Sequence, residues 1–240
     1  MSYQYEYSDR IRFSQCDINN QLSLTSLIDD FQDCSIFHSE DLNVGFNTLN
    51  KNNLVWMLSY WEIEITRMPV LCENVTIGTF PYGFKSFLGY RNFYMKGASG
   101  ECIVKANTTW TLIDTSTSSP TKTPDYILNA YPLGEKLDMT YSNRKIQLPS
   151  EDCATIINAP ERIVSIYNLD VNNHVNNCQY INFALDALGK NIPVKRLRAD
   201  YRKQAVLNDT IYPVVYEEKD CYTIALNDAN GSPYSVIQIS

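Results

Sequence analysis

A short polar motif that occurs twice is the feature that most constrains the fold of this chain. The first copy, Asp17–Gln21, reads Asp-Ile-Asn-Asn-Gln, and the second, Asp170–His174, reads Asp-Val-Asn-Asn-His. The copies are 153 residues apart (170 − 17), and the same separation places Ile28 opposite Ile181. A repeat with so long a period predicts two related halves.

Each half is predicted to contain one long helix directly after its motif. Ser23 or Thr25 can cap the first helix, and Gly189 supplies a stop for the second. Asp29 and Asp30 are expected to be favourable near the positive end of the first helix. Apolar residues recur at helical spacing in both helices, namely Leu27, Ile28, Phe31 and Cys34 in the first and Cys178, Ile181, Leu185 and Leu188 in the second.

Strand signals follow each helix. Trp61, Ile63 and Ile65 alternate with polar residues, as expected for a strand with one buried face. Further strands are predicted at 75–82, 87–96, 102–114, 194–205, 210–218, 221–227 and 234–240. The stretch from 115 to about 159 is turn-rich at its start and is predicted to be an irregular crossover.

These elements predict an α+β protein in which a curved antiparallel sheet wraps a long helix in each half. The N-terminal domain is predicted at 1–135, the crossover linker at 136–158 and the C-terminal domain at 159–240.

Composition limits the range of functions. The net charge of −7 disfavours nucleic acid as a partner, because a phosphate backbone needs a basic face. No apolar run approaches the ~20 residues of a membrane span, and the first ten residues do not resemble a signal peptide. We therefore expect a cytoplasmic protein. Its seven cysteines include no C-x-x-C pair to suggest zinc or dithiol chemistry, and its two histidines are 136 residues apart (174 − 38), so no metal site is predicted. No cofactor is predicted.

The candidate catalytic residues lie in the second motif. Asp170, Asn172 and His174 alternate along the chain, so an extended or loop backbone would turn their side chains to one side, beside the positive end of the following helix. An imidazole can pass protons near neutral pH, and an amide can bind a carbonyl oxygen or a water. A lone histidine before a helix is also often only a cap or a packed polar group. The spacing leaves both interpretations open.

The second motif resembles the active-site segment of the acyl-ACP thioesterases, which are built of two tandem hotdog domains. Further segments resemble the N-terminal half of that family in the same order, namely 54–58, 65–69, 76–79, 91–93 and 110–114. The resemblance implies hydrolysis of fatty acyl-acyl carrier protein to free fatty acid and carrier protein, without a cofactor. The implied partners are acyl carrier protein and a fatty acyl thioester.

Site residues are carried over from the family by position. Asp170, Asn172 and His174 match its catalytic positions, and Gln204-Ala205 stands where the family has Glu-Cys. A neutral amide cannot accept a proton, so Gln204 can position a water but cannot act as its base. Another carboxylate could substitute, but Asp200 would lie about 13 Å along the strand from Gln204. We favour His174 as the base.

The first half is expected to bind the substrate rather than to react with it. Its motif has Gln21 where the second has a histidine, and Asp17 can equally be a capping residue. Its apolar residues are expected to line the acyl pocket, with Trp56, Met57 and Trp61 among them. We interpret His38 as a surface or packing residue.

A basic stretch suggests where the carrier protein docks. Acyl carrier protein is strongly acidic, and this acidic chain concentrates positive charge in one place. The predicted docking residues are Lys195, Arg196, Arg198, Arg202 and Lys203. The same stretch can also be a solvated sheet edge.

Two other functions remain open from the sequence. An acyl-CoA thioesterase would use the same chemistry on another substrate, and Gln204 makes a non-catalytic acyl-binding protein credible. The chain has no G-x-S-x-G nucleophile elbow and no glycine-rich phosphate loop. Whether two chains pair as a homodimer is not determined by the sequence.

Overall fold

A computed structural model describes residues 3–150 and 152–240, which form two compact units. The first unit spans the chain up to Ser59 and then Ile63–Tyr141. The second consists of Tyr60–Glu62 and Ser142–Ser240. The domain limits given above stay a prediction. Among the described residues, no helix is long and apolar enough to cross a membrane.

The first unit packs one long helix against an antiparallel sheet. Five of its strands follow the order β1-β3-β4-β5-β2, and the short β6 pairs with β5. Helix α1 packs on β3 and β1. The elements are β1 (Tyr5–Arg10), α1 (Leu24–Asp41), α2 (Phe46–Lys51), β2 (Leu54–Ile65), β3 (Asn74–Lys85), β4 (Leu88–Lys96), β5 (Cys102–Asp114), β6 (Ser119–Pro120) and α3 (Asp125–Ala130).

Helix α1 follows the predicted apolar pattern. Leu27, Ile28, Phe31 and Cys34 are all fully buried, and burial of side chains of this size contributes roughly 1.5–3 kcal/mol each. Ser23 caps the helix, because its hydroxyl accepts the N–H of Ser26. The predicted first helix is therefore confirmed.

The second unit repeats the arrangement with a shorter helix. Its strands follow the order β9-β12-β11-β10-β7, with β8 paired to β10, and helix α4 packs on β10, β11 and β12. Asn176 caps α4 and Gly189 ends it at a positive φ of 66°, as glycine readily allows. The elements are β7 (Thr155–Asn158), β8 (Arg162–Ile163), α4 (Asn177–Leu188), β9 (Arg196–Tyr201), β10 (Thr210–Glu217), β11 (Tyr222–Asn227) and β12 (Pro233–Ile239).

Two parts of the predicted layout were wrong. The strand predicted at 194–205 ends at Tyr201, because the chain then leaves the sheet and the carbonyl of Ala205 accepts the N–H of Val175 at 3.0 Å. The region predicted to be irregular contains β6, α3 and β7. These elements are too short to show a clear hydrophobic period.

The expectation that Asp30 is favourably charged was also wrong. Asp30 lies in α1 but is 7% exposed, and its Oδ2 has no hydrogen-bond partner among the described residues. Its Oδ1 accepts a hydrogen bond from Gln15 Nε2 at 2.9 Å. Burial, and then the nearby charge of Asp9, raises the pKa of Asp30 to about 7. Asp30 is the seventh residue of α1 and lies outside the first turn, so the helix terminus stabilises its carboxylate little and burial dominates.

Asp30→Asn is therefore expected to stabilise the protein above pH 7. The folded pKa exceeds the unfolded one, so the wild-type protein loses stability as the pH rises from about 4 to about 7. We expect the free energy of unfolding at pH 8 to rise by about 1–3 kcal/mol. For a chain of this length, each kcal/mol raises Tm by about 2–4 °C. Thermal unfolding of both proteins at pH 4.5 and pH 8 tests this, and an equal difference at the two pH values would contradict it.

Candidate active site

The second motif forms a tight loop immediately before helix α4. The N–H of Asp170 donates to the carbonyl of His174 at 2.8 Å, which closes the loop. The Asp170 carboxylate turns inward, where Oδ1 accepts the N–H of Asn172 at 2.8 Å and the N–H of His174 at 3.3 Å. Asn173 has a φ of 60°, a left-handed conformation that asparagine tolerates well. Asp170 therefore holds the backbone that carries the histidine.

The first motif forms the same loop. The N–H of Asp17 donates to the carbonyl of Gln21 at 2.7 Å, and Asp17 Oδ1 accepts the N–H groups of Asn19 and Gln21 at 2.8 and 3.1 Å. Asn20, like Asn173, has a positive φ, of 59°. The repeat thus preserves the loop geometry and replaces the histidine with glutamine.

His174 is half-buried, and its ring nitrogen Nδ1 is buried without a hydrogen-bond partner among residues 3–150 and 152–240. Buried polar atoms in native proteins are nearly always satisfied, and exceptions are frequent at catalytic groups. The side chain of Asn172, two residues earlier, is exposed to solvent. A buried ring nitrogen without a hydrogen-bond partner is more typical of a functional histidine than of a packed one.

Gln204 lies in the segment next to this loop. The segment is held by Ala205, whose carbonyl accepts the N–H of Val175 and whose N–H donates to the hydroxyl of Tyr180 at 2.8 Å. Gln204 itself is exposed. The structure thus brings the 204–205 segment beside the residue that follows His174, although Gln204 is not on a strand.

Sequence reasoning missed two tyrosines that position these parts. Tyr180 on α4 fixes the 204–205 segment, and burial raises its pKa above the usual value for tyrosine. The hydroxyl of Tyr201, at the end of β9, donates to the carbonyl of Asn177 at 3.0 Å, at the first residue of α4. Neither belongs to a spaced motif. The only available signal was that each tyrosine stands close in the chain to a predicted site residue.

The amino end of α4 is partly occupied by its own cap. Asn176 Oδ1 accepts the N–H of Cys178 at 3.2 Å, and the carbonyl of Asn176 accepts the N–H of Gln179 at 2.9 Å. The partial positive charge of the helix terminus remains close to the reactive loop, since α4 begins three residues after His174. Cys178 is buried, as expected for an inert helix residue.

Most of the predicted docking residues are bonded within the second unit. Arg198 donates to Gln238 Oε1 and to the carbonyl of Asn143 at 2.8 and 2.7 Å, and Arg196 donates to Ser142 Oγ at 2.6 Å. Arg202 pairs with the buried Asp200 at 2.9 Å and donates to the carbonyl of Ile146. Lys203 pairs with Asp228. Lys195 is exposed, and its side chain has no ion pair or hydrogen bond within the described ranges.

The residues predicted for the acyl pocket lie on β2. Trp61 is fully buried, Trp56 and Met57 are half-buried, and Trp56 packs against Phe84 with ring centroids 6.1 Å apart. Phe84 also lines a pocket of about 440 Å³ in the first unit, together with Tyr82, Gly83, Tyr90 and Lys136. This pocket is an open surface groove, and Trp56, Met57 and Trp61 are not among the residues that line it.

His38 is a packing residue of the first unit. It is 5% exposed, and its ring stacks on Tyr5 and meets Tyr131 edge-on, with centroids 5.1 and 5.4 Å apart. Burial, and then the charge of Arg91, lowers the pKa of His38 to about 3. Its environment therefore keeps it neutral, and it is not a surface residue.

Two units that each pack a helix on an antiparallel sheet define a hotdog-type protein, here with a carboxylate-anchored histidine loop before the second helix. The model of the acyl-ACP thioesterase N-terminal domain matches residues 2–131, and that of the C-terminal domain matches residues 158–233. The chain belongs to the acyl-ACP thioesterase family.

Solved structures show the same fold. An acyl-ACP thioesterase from Bacteroides thetaiotaomicron superposes with a TM-score of 0.85 at 22% identity, covering 100% of this chain and 99% of that one. The 12:0-ACP thioesterase from Umbellularia californica gives a TM-score of 0.86 at 17% identity, with 100% and 97% covered. At these identities the likeness establishes the fold alone.

A curated plant relative adds a sequence match. Oleoyl-acyl carrier protein thioesterase 2 of Arabidopsis thaliana, a chloroplastic protein, is 22% identical over 97% of this chain and 68% of its own length. An acyl-[acyl-carrier-protein] hydrolase of Cuphea viscosissima is 25% identical over 77% of this chain and 47% of its own. The chain thus spans about half to two thirds of the length of these two relatives.

Proposed function

We propose that this protein hydrolyses fatty acyl-acyl carrier protein to free fatty acid and carrier protein, with His174 as the general base. The observation that carries the proposal is the buried, unsatisfied Nδ1 of His174 on a loop whose backbone is held by Asp170. Family membership supports the thioester substrate.

In the proposed reaction Nε2 of His174 takes a proton from water as the oxygen attacks the thioester carbonyl, since Nδ1 is buried. The oxyanion that forms is stabilised by the positive end of α4 and by the exposed amide of Asn172. The C–S bond then breaks, and the imidazolium returns its proton to the departing thiolate. Asp170 acts on the loop backbone, and Gln204 orients the water by hydrogen bonding.

The first unit is proposed to bind the acyl chain, with Trp56, Met57 and Trp61 among the lining residues. Supporting this, Trp56 packs on Phe84 at the wall of the 440 Å³ pocket. The basic stretch is proposed to guide the acidic carrier protein through Lys195, because the three arginines are bonded internally. Pairing with a second chain and a cytoplasmic location stay predictions.

Gln204→Glu is expected to raise kcat by about tenfold, because a carboxylate at this position can share the work of a base. Steady-state turnover of an acyl-ACP panel measures the effect. Gln204→Ala is the matched control and is expected to lower kcat a few-fold through loss of water positioning. If the glutamate variant is no faster than wild type, the argument that a base is missing here is wrong.

A non-catalytic acyl-binding protein is the second candidate, and Gln204 is the observation that favours it. Assays of the unmodified protein distinguish the hydrolase from the acyl-binding protein. Turnover of acyl-ACP supports hydrolysis, whereas lipid binding without turnover supports the binding protein. Parallel assays with matched acyl-CoA thioesters decide between the two substrate classes.

A further inference from the structure

Six exposed apolar side chains lie on the reactive loop of the second unit or on the chain segments next to it. We name them the collar: Ile163, Ile166, Tyr167, Val171, Val206 and Leu207. Their exposed fractions run from 43% at Val206 to 91% at Tyr167. Single exposed apolar residues are ordinary, but a group of them around one loop is typical of an interaction surface.

The backbone beneath the collar is fixed around His174. The N–H of Asn208 donates to the carbonyl of Val164 at 3.0 Å, and the N–H of Val175 donates to the carbonyl of Ala205 at 3.0 Å. Along the sequence, each collar residue is at most three residues away from one of these four hydrogen-bonded residues or from the loop. The collar residues are therefore exposed on a part of the surface whose backbone is held in place by hydrogen bonds.

The first unit has the same backbone with a smaller apolar surface. At the repeat distance of 153 residues, Phe13 and Ile18 match Ile166 and Val171, and they are 82% and 88% exposed. Val70, which forms a β-bridge with Gln21 of the first loop, is 49% exposed. The positions that match Ile163 and Tyr167, however, are Arg10 and Ser14. The larger apolar surface thus occurs in the unit that carries the histidine.

We infer that the collar is the contact surface for the carrier protein that presents the acyl chain. The inference rests on the proposed function. A carrier protein holds its thioester on a flexible arm, so it must dock within the length of that arm from His174, and the collar is exposed apolar surface next to the loop. This chain has a net charge of −7, so an acidic partner is repelled at long range except near Lys195, and the three arginines of the basic stretch are bonded internally. Apolar contact at short range offsets that repulsion.

Tyr167→Ser and Ile163→Gln test the collar without adding charge. The risk to folding is small, because the first unit carries Ser14 at the position that matches Tyr167, and Ile163 is 64% exposed. We expect KM for acyl-ACP to rise about tenfold, as for removal of a central interface residue, with kcat within about threefold. KM for the same acyl group on N-acetylcysteamine should not change, since a small thiol does not reach the collar.

Phe13→Ser is the matched control in the first unit and should leave KM for both substrates unchanged. An equal rise for both substrates in the collar variants, or no rise for acyl-ACP, overturns the inference. A changed oligomeric state with unchanged KM overturns it as well and assigns the collar to self-association.

Failure of the proposed function can be separated from failure of this inference. Binding of an acyl carrier protein with a non-hydrolysable amide linkage is measured directly, without turnover. If the unmodified protein hydrolyses neither thioester, the proposed function is wrong. Binding of the amide-linked carrier protein still tests the inference. A Kd about tenfold weaker in Tyr167→Ser than in the unmodified protein supports it, and an unchanged Kd overturns it.

Discussion

Replacing His174 by alanine is expected to lower kcat for acyl-ACP hydrolysis by about 10²-fold or more, the usual contribution of a general base. The loop itself should survive, because its hydrogen bonds use the backbone of His174 and not its ring. The measurement is single-turnover kinetics on purified acyl-ACP, together with thermal unfolding to show that the variant is folded.

The repeat supplies two controls for this experiment. Gln21 occupies the matching position of the same loop in the first unit, so Gln21→Ala should leave kcat within about twofold. His174→Gln places in the second loop a side chain that the first loop already accommodates, and it should be as slow as the alanine variant. A His174→Gln protein with wild-type turnover would show that the imidazole does no chemistry.

Asp170→Ala is expected to lower kcat by about 10- to 100-fold and to reduce Tm by several degrees. The substitution removes the acceptor of two N–H groups. The N–H of His174 is partly buried, and an unsatisfied donor there costs roughly 1–3 kcal/mol, whereas the exposed N–H of Asn172 can bond to water. The loop then loses the geometry that presents His174. Turnover and unfolding of the same preparation test both effects.

Asp170→Asn separates the two roles that an aspartate can have here. Its side-chain carbonyl still accepts from the backbone, so we expect kcat within about fivefold of wild type if Asp170 acts by holding the loop. If its charge acts on the imidazole, the asparagine variant should be as slow as the alanine variant. Asp17→Ala in the first unit should lose similar stability with unchanged kcat, because that loop has no histidine.

The local features of the site were accessible from the sequence because they depend on residues close in the chain. The motif, its cap and the helix start are set by short-range hydrogen bonds, such as those from the N–H groups of Asn172 and His174 to Asp170. The apolar spacing of α1 likewise predicted its buried face. The constant separation of 153 residues predicted that both loops and both helices would recur.

Contacts between distant residues were less accessible. The sequence placed Gln204 on a strand, but the chain leaves the sheet after Tyr201 because Ala205 bonds to Val175 and Tyr180. The basic stretch looked free in the sequence, whereas Arg198 and Arg202 bond to distant carbonyls in the second unit. No local pattern encodes such partners.

The amino-acid sequence alone determined the duplicated helix-and-strand plan and the position of the loop that carries His174, because both rest on periodicity and on hydrogen bonds within a few residues. Tertiary structure alone decided which charged side chains are exposed to solvent and which are buried or bonded to other residues of the chain. In the folded protein Asp30 is buried, Arg198 is hydrogen-bonded to Gln238, and the collar is exposed to solvent. Burial and charge pairing depend on which segments fold against one another, and that information is spread over the whole chain.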